Sequence, residues 1–417
     1  MDTKKIIIVG GGFAGLHLAR MLEGTSYEVL LLDRQNHHQF QPLFYQVASA
    51  RIEPSSISFP FRKIFQKSPN IDFRLAEVLK IDPQNKEVLT PIGTFSYDIL
   101  ILANGCKTNY FGNSELAENS LGMKTTGEAI HIRNHILESF EKIIGKHPEA
   151  VSMLNIVIAG AGPTGVELAG AFAEMKQYIL PRDYPKADFS KMKIILLDGA
   201  SHPLANMSSN AQWHSRKFLQ DLGVKILTGV TVKNYDGQVV HLSDGSSLTT
   251  KNLIWAAGVT GNALPGLDQA TVVRGNRFKV NRIHQVEGYD AVYAIGDIAS
   301  METPKYPQGH PQVANVAINQ GKNLAQNLLR KLSGQEPLSY EYRDLGAMAT
   351  IGKHKAVVDF PFVQFGGRTA WFIWMFLHLM LILSVRNKII VFLNWSWSYF
   401  TQDSSLRLIL KPSKNKG

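Results

Sequence analysis

Residues 4–22 read KKIIIVGGGFAGLHLARML: a β-branched apolar run, a glycine-rich turn, then a segment of helical period, with a second apolar run EVLLLD at 28–33. Gly10, Gly12 and Gly15 carry the GxGxxG spacing. In such a turn the first glycine permits the tight bend and the second lets a pyrophosphate approach the backbone. The third lets the helix pack close to the strand, and the helix N-terminus offers amides and the positive end of its dipole to phosphate. Asp33, 18 residues beyond Gly15, closes the second run and is placed to accept hydrogen bonds from an adenosine ribose. The alternative is a glycine turn with a purely structural role.

The same grammar returns at NIVIAGAGPTGVELAGAFAEM, residues 155–175, followed by KIILLD at 193–198. Gly160, Gly162 and Gly165 repeat the turn, with Asp198 as the acid. Each unit then runs into a β-rich stretch of 35 residues, 71–105 and 224–258, that ends on an apolar strand and a glycine. Gly10 to Gly105 is 95 residues and Gly160 to Gly258 is 98, so two units of related architecture are expected. One spacing differs. Gly165 to Asp198 is 33 residues, and the excess around 176–192 holds two prolines and reads as an inserted loop or helix extension. A carboxylate at Asp198, with no arginine in Gly199-Ala200, disfavours a 2′-phosphate and favours NADH over NADPH. The alternative is a loop acid that touches nothing.

Two dinucleotide sites in one chain imply a redox relay between a flavin dinucleotide and a nicotinamide dinucleotide. Asp297, after the run YDAVYAIG, fits a further contact to the first cofactor; its alternative is a helix-cap aspartate. The expected fold class is therefore α/β, with two Rossmann-like dinucleotide-binding domains. An FAD domain covers 1–112 and 285–362, interrupted by an NADH domain over 150–284 with 113–149 connecting. A C-terminal membrane-associating helical segment, 363–417, completes the chain.

Composition sets the outer limits. The chain has 417 residues, 45% hydrophobic and 19% charged, which suits two to four packed domains and excludes disordered or fibrous classes. A single cysteine excludes a disulfide scaffold and a CxxC pair. The net charge of +10 points to an anionic partner, and its location is uneven. Residues 363–417 hold seven basic side chains (Arg368, Arg386, Lys388, Arg407, Lys411, Lys414, Lys416) against the one acid Asp403, a net of +6. Four of the six tryptophans, Trp371, Trp374, Trp395 and Trp397, fall there too.

The apolar run Trp371–Leu383 is 13 residues, short of the roughly 20 needed to span a bilayer. With flanking tryptophan, tyrosine, arginine and lysine it reads as a tail lying on a lipid surface; a buried core helix or a homodimer helix is the alternative. The run Ile6–Val9 is too short for a signal-peptide core, so cytoplasmic synthesis and retention is expected. Cys106 reads as a small buried residue. His37 and His38 are adjacent and share no ligand spacing, so no metal is expected, and aromatics set in aliphatic runs favour lipid over nucleic acid.

Taken together, the two turns, HHQFQPLFYQVAS (37–49), ILANGC (101–106), GAGPTGVELAG (160–170), IWAAGV (254–259), YAIGDIA (293–299), ANVAINQG (314–321) and the tail from Phe372 to Thr401 resemble the type II NADH dehydrogenases. These are non-pumping NADH:quinone oxidoreductases of the two-dinucleotide-binding-domain flavoprotein fold. The resemblance implies FAD at Gly10, Gly12, Phe13, Ala14, Gly15, Asp33, Arg34, Val78, Asp297 and Ala314. It implies NADH as substrate at Gly160, Gly162, Thr164, Gly165, Asp198, Ala257 and Gly258, and a membrane quinone (menaquinone or ubiquinone) at Asn315, Ile318 and Asn319. It implies a peripheral enzyme on the cytoplasmic face of the cell membrane. Asn315 and Asn319 stand where the family has glutamine, one methylene longer, and Asn104 stands for a usual threonine beside the flavin; both bear on quinone choice.

Glu167 matches a family glutamate with a proposed part in quinone protonation. It falls two residues past Gly165, in the expected first turn of the second nucleotide helix, where the dipole also stabilises an ordinary carboxylate by about 0.3–1 kcal/mol. Two other readings of the whole chain stay open: a soluble NADH:acceptor reductase of ferredoxin-reductase type, and a flavin-bound redox sensor without quinone turnover.

Overall fold

Fully apolar β-branched strands are buried on both faces, the condition under which parallel sheets form. The chain builds two such sheets. The computed structural model describes residues 3–144, 154–401 and 406–410. Its contacts divide into two units, one of Met1–Gln39, Phe59–Lys107 and Val259–Arg343, the other of Phe40–Ser58, Thr108–Gly258 and Asp344–Gly417.

In the first unit the parallel sheet runs Val292–Ala294, Ile99–Leu102, Lys5–Val9, Glu28–Asp33, Ile71–Leu75. Val9 pairs with Leu32 on one side and Leu102 on the other. A three-stranded antiparallel layer, Lys80–Asp82, Glu87–Thr90 and Gly93–Ser96, follows. The core gathers Ile7, Val9, Leu32, Leu100, Leu102 and Val292. Helix Phe13–Met21 packs on helix Ala314–Leu332 so closely that a Cβ at Gly321 would collide with the Ala14 carbonyl.

The second unit repeats the plan: Leu121–Gly122, Asn252–Trp255, Ile156–Ala159, Ile194–Asp198, Lys225–Thr228, with an antiparallel layer of Val232–Tyr235, Val239–Leu242 and Ser247–Thr249. The 33-residue spacing is absorbed by a helix extension. Helix Pro163–Glu174 runs on through a π-helical turn, Met175–Ile179, into Leu180–Asp183 before the chain returns to the sheet. A second antiparallel sheet, Ala347–Ile351, Lys355–Asp359 and Gln364–Gly367, precedes helices Arg368–Leu381 and Val385–Thr401.

The division differs from the expected boundaries. Residues 259–284 belong with the first turn, because Ile81 N–H donates to Pro265 C=O and Phe278 and Val280 enter that core. Residues 344–362 group with the second turn, where the Gly170 helix face lies against Ile351 and Gly352. The tail is also two helices, since Ile382 is extended and ends the first of them. No helix among the described residues is long and apolar enough to cross a membrane. Asp403, Lys411, Lys414 and Lys416 lie outside the described residues.

Candidate functional site

Gly10 adopts φ +100°, which an L side chain rarely takes, and a Cβ there would lie 2.5 Å from the Ala103 carbonyl oxygen. A Cβ at Gly15 would collide with the Gly10 carbonyl, so strand and helix meet backbone to backbone. Gly12 differs: it caps helix Phe13–Met21 and faces open space. Asp33 Oδ2 accepts the Gly11 N–H at 2.7 Å and its Oδ1 accepts the Gln35 N–H at 2.7 Å. Burial pushes the Asp33 carboxyl above its usual pKa against the pull of those amides. The acid expected to meet a ribose thus also latches its own turn, and each oxygen keeps a further lone pair.

The second turn is built alike. Gly160 has φ +102°, and a Cβ would collide with the Ala256 carbonyl; one at Gly165 would collide with the Gly160 carbonyl. Gly162 caps its helix and faces open space. Asp198 Oδ2 accepts the Ala161 N–H at 2.5 Å and Oδ1 the Ala200 N–H at 2.7 Å. Asp198 therefore makes the same latch as Asp33 despite the longer spacing. Thr164 is exposed in the first turn of the helix, and Ala257 and Gly258 close strand Asn252–Trp255 half-buried.

Around the first turn, Phe13 meets His38 edge-on at 5.2 Å between centroids, and His38 Nδ1 pairs with the Gly11 carbonyl at 2.9 Å. Burial lowers the His38 pKa to about 4, so the ring is neutral and donates to that carbonyl. Ala14 is buried, Arg34 is exposed, and the Val78 side chain belongs to the core, which leaves only its backbone for a ligand. Asp297 accepts the Cys106 thiol at 2.9 Å, and its carbonyl accepts Gln312 Nε2 at 2.9 Å. Cys106 is thus half-buried on a candidate ligand carboxylate rather than filler in the core. Asn104 Nδ2 donates to the Asn262 carbonyl at 2.6 Å, while its buried Oδ1 has no partner among the described residues.

Ala314 opens helix Ala314–Leu332, whose N-cap, Val313, offers no side-chain bond to the first amides. One turn on, Asn319 Nδ2 donates to Asn315 Oδ1 at 2.9 Å, and Ile318 is half-buried between them. The shortened side chains thus satisfy each other across i, i+4. Glu167 is buried on helix Pro163–Glu174 in its second turn, because Pro163 starts the helix two residues before Gly165. Its Oε1 accepts the Thr350 N–H at 3.3 Å, and burial pushes its pKa up to about 8. A first-turn dipole role is excluded by that placement.

Residues 4–321 match the model of the pyridine nucleotide-disulphide oxidoreductases, and residues 345–402 match that of the NDH2 C-terminal domain. The type II NADH:quinone oxidoreductase Ndh of Mycobacterium tuberculosis is 34% identical over 415 residues, covering 95% of this chain and 88% of the relative. The chain belongs to the type II NADH:quinone oxidoreductase family. The Staphylococcus aureus type II NADH:quinone oxidoreductase is 28% identical over 85% of this chain and 89% of its own. Among solved structures, NDH2 from Plasmodium falciparum in complex with NADH superposes with a TM-score of 0.89 at 20% identity, covering 98% of this chain and 100% of that one. The sulfide:quinone oxidoreductase of Aquifex aeolicus gives 0.74 at 19%, covering 96% of each chain, a likeness of fold.

For a member of this oxidoreductase family, the residues that sequence reading missed are the long-range ones. His38 under the first turn was visible only as half of a histidine pair. Gln320 Oε1 accepts the buried Gly296 N–H at 2.7 Å beside Asp297, and only its place in ANVAINQG hinted at it. Tyr45, Gln46, Thr350 and Trp395 form a buried hydrogen-bonded set in the second unit, to which only the place of Tyr45 and Gln46 in HHQFQPLFYQVAS points.

The two terminal helices carry separate faces. Trp371, Trp374, Asn387, Val391 and Trp395 are buried, while Phe372, Phe376 and Met380 line one exposed stripe and Val385, Ile389, Leu393 and Trp397 another. The core alternative therefore holds for one face and leaves the other apolar and open. Arg407 is ion-paired to Asp183, so it does not add to a free basic surface.

Proposed function

We propose that this chain is an FAD-dependent, non-electrogenic NADH:quinone oxidoreductase held peripherally on the cytoplasmic face of the cell membrane. The observation that carries the reading is the duplicated latch, Asp33 on Gly11 and Asp198 on Ala161, each under a glycine turn with an open Gly at the helix start. The first unit fits FAD: Gly12 leaves room for a pyrophosphate, Asn104 Oδ1 awaits a donor, and the helix at Ala314 ends in uncapped amides. Bound FAD supplies the two-electron chemistry that accepts hydride from NADH and returns electrons to quinone.

The protein's part is to hold and orient. Gly10, Gly12, Phe13, Ala14, Gly15, Asp33, Arg34, Val78, Asp297 and Ala314 are assigned to FAD. Gly160, Gly162, Thr164, Gly165, Asp198, Ala257 and Gly258 are assigned to NADH, with Asp198 repelling a 2′-phosphate. Asn315, Ile318 and Asn319 are assigned to the quinone head. Quinone reduction consumes two protons, and Glu167, kept neutral near pH 7 by burial, holds one of them.

The exposed stripes of the terminal helices support a segment lying in the lipid interface, with Arg368, Arg386 and Lys388 beside it; each basic residue at an anionic surface contributes about 1 kcal/mol. A homodimer is the competing occupant of that face.

The test is anaerobic stopped flow on the purified, full-length protein. NADH should bleach a yellow chromophore, and menaquinone or ubiquinone should restore it. Bleaching without recovery would leave only a redox sensor, and a colourless protein that stays so after reconstitution with FAD would overturn the assignment. Turnover in sealed vesicles should build no membrane potential.

A further inference from the structure

Thr350 joins two buried groups that lie far apart in sequence. Its backbone N–H donates to Glu167 Oε1 at 3.3 Å, and its hydroxyl shares a 2.7 Å bond with the Tyr45 phenol. Gln46 Nε2 donates to the Tyr45 oxygen at 2.8 Å, and Gln46 Oε1 accepts the Trp395 indole N–H at 2.7 Å. All of these side chains are buried. The chain of bonds therefore runs without a break from helix Pro163–Glu174, through strand Ala347–Ile351 and helix Phe44–Ala48, to helix Val385–Thr401.

A buried polar chain costs more than apolar packing wherever one link is missing, so each link fixes its neighbour's geometry. A second tether runs beside it. Lys353 N–H donates to Glu174 Oε1 at 2.7 Å, and its ammonium donates to the Ser398 and Tyr399 carbonyls at 2.7 and 3.1 Å, at the end of the terminal helix where a cation meets the negative dipole end. Asn387 Nδ2 pins the same helix to the Ser55 and Ser56 carbonyls, both at 3.0 Å. The turn Thr350–Lys353 is thus bonded on one side to the helix of Glu167 and, directly or through Tyr45 and Gln46, to the terminal helix.

We infer that Thr350 and Tyr45 are positioning residues for the Glu167 carboxyl, and that Trp395 ties them to the terminal helix, so that the seating of this helix sets how the acid is held. The inference rests on the reading that Glu167 supplies a proton. The stripe Ile389, Leu393 and Trp397 lies on the open side of the helix that Trp395 anchors, so a surface that engages the stripe acts on the same rigid element. Tyr45 is the titratable group electrostatically coupled to Glu167. The other charged or titratable groups on or beside the segments packed against its helix are Arg51, ion-paired to Glu174, then Lys353, His354 and Asp198, with His214, Arg216, Lys217 and Asp221 on helix Ser209–Asp221 and Lys176 and Tyr178 on the π-helical turn. In Glu167 itself, desolvation favours the neutral form and the Thr350 amide opposes it. A loosened amide therefore moves the titration upward.

The experiment follows reoxidation of the NADH-reduced, flavin-loaded, full-length protein by a water-soluble menaquinone analogue, at pH values on both sides of 8, in wild type, Trp395→Phe, Tyr45→Phe and Glu167→Gln. Trp395→Phe removes the indole N–H donor together with the pyrrole ring, whereas Tyr45→Phe removes only the hydroxyl. The expected result is an upward shift of the pH midpoint by about half a unit or more in both chain variants, with the rate of bleaching by NADH unchanged. A midpoint that stays at the wild-type value in both, while Glu167→Gln abolishes the pH dependence, overturns the inference and leaves the proton-donor reading standing. A pH dependence that survives Glu167→Gln overturns that reading and the inference with it. If Trp395→Phe fails to retain flavin, Tyr45→Phe, two bonds nearer the acid, decides alone.

Discussion

Asp198 Oδ2 accepts the Ala161 amide at 2.5 Å, under a turn whose helix starts one residue later than the open glycine, Gly162. Asp33 makes the same bond to Gly11 at 2.7 Å. A single geometry thus appears twice, at acid spacings of 18 and 33 residues, because the extra chain is spent on the helix extension from Met175 to Asp183 and the loop after it. The latch explains how a carboxylate is held at the place proposed for a nucleotide ribose.

Replacing Asp198 with asparagine or serine tests that role. Loss of a charge-assisted hydrogen bond costs about 1.5–3 kcal/mol, and each 1.4 kcal/mol is tenfold. The ratio of kcat/KM for NADH over NADPH should fall about tenfold or more, with flavin content unchanged. A ratio equal to wild type removes Asp198 from the ribose.

The third glycines separate the two sites. Alanine at position 15 drives a Cβ into the Gly10 carbonyl, and alanine at 165 drives one into the Gly160 carbonyl. Gly15→Ala should purify with little flavin by its absorbance ratio. Gly165→Ala should stay yellow and show a KM for NADH raised about tenfold, the loss of one hydrogen bond's worth of binding. A reversed pattern would exchange the two assignments.

Both turns were legible because every part of them is local: strand, glycine spacing, helix and following acid lie within a few dozen residues. Where the reading missed, the cause was long-range. Tyr45 finds Thr350 across 305 positions and Gln46 finds Trp395 across 349, separations that no periodicity reports. Residues 259–284 look like a continuation of the second unit, yet the Ile81 N–H captures Pro265. The apolar run Trp371–Leu383 carries no breaker residue, and its helix still ends at Ile382, which is itself buried. Glu167 falls in the second turn and not the first that its spacing predicts, because Pro163, which cannot donate an N–H, is an ordinary first residue of a helix.

The exposed stripes make a second kind of claim. Phe376→Asp together with Leu393→Asp places two charges on the open apolar face and none on the buried one. The double variant should lose co-flotation with anionic phospholipid vesicles and keep its bleaching by NADH. Undiminished flotation would remove this face from lipid contact, and a dimer that dissociates in the variant would give the face to a second copy of the chain.

Glu167 yields the pH prediction. Burial raises its pKa from an ordinary 4.5 to about 8, so in the folded chain the acid is protonated at pH 7 and loses its proton as pH rises through about 8. Quinone-dependent reoxidation should therefore be fast below that value and fall above it, and Glu167→Gln, which cannot give a proton, should be slow at every pH. Stability moves with the same sign. Between about 4.5 and 8 the folded chain binds a proton that the unfolded chain has released, so the stability that the buried neutral carboxyl contributes is present below the lower value and is lost progressively as pH rises through the upper one. The melting temperature of wild type should drop across that window more steeply than that of Glu167→Gln. Parallel melting curves for the two proteins would mean that Glu167 is ionised in the folded state at neutral pH, and the carboxyl would then hold no proton to give.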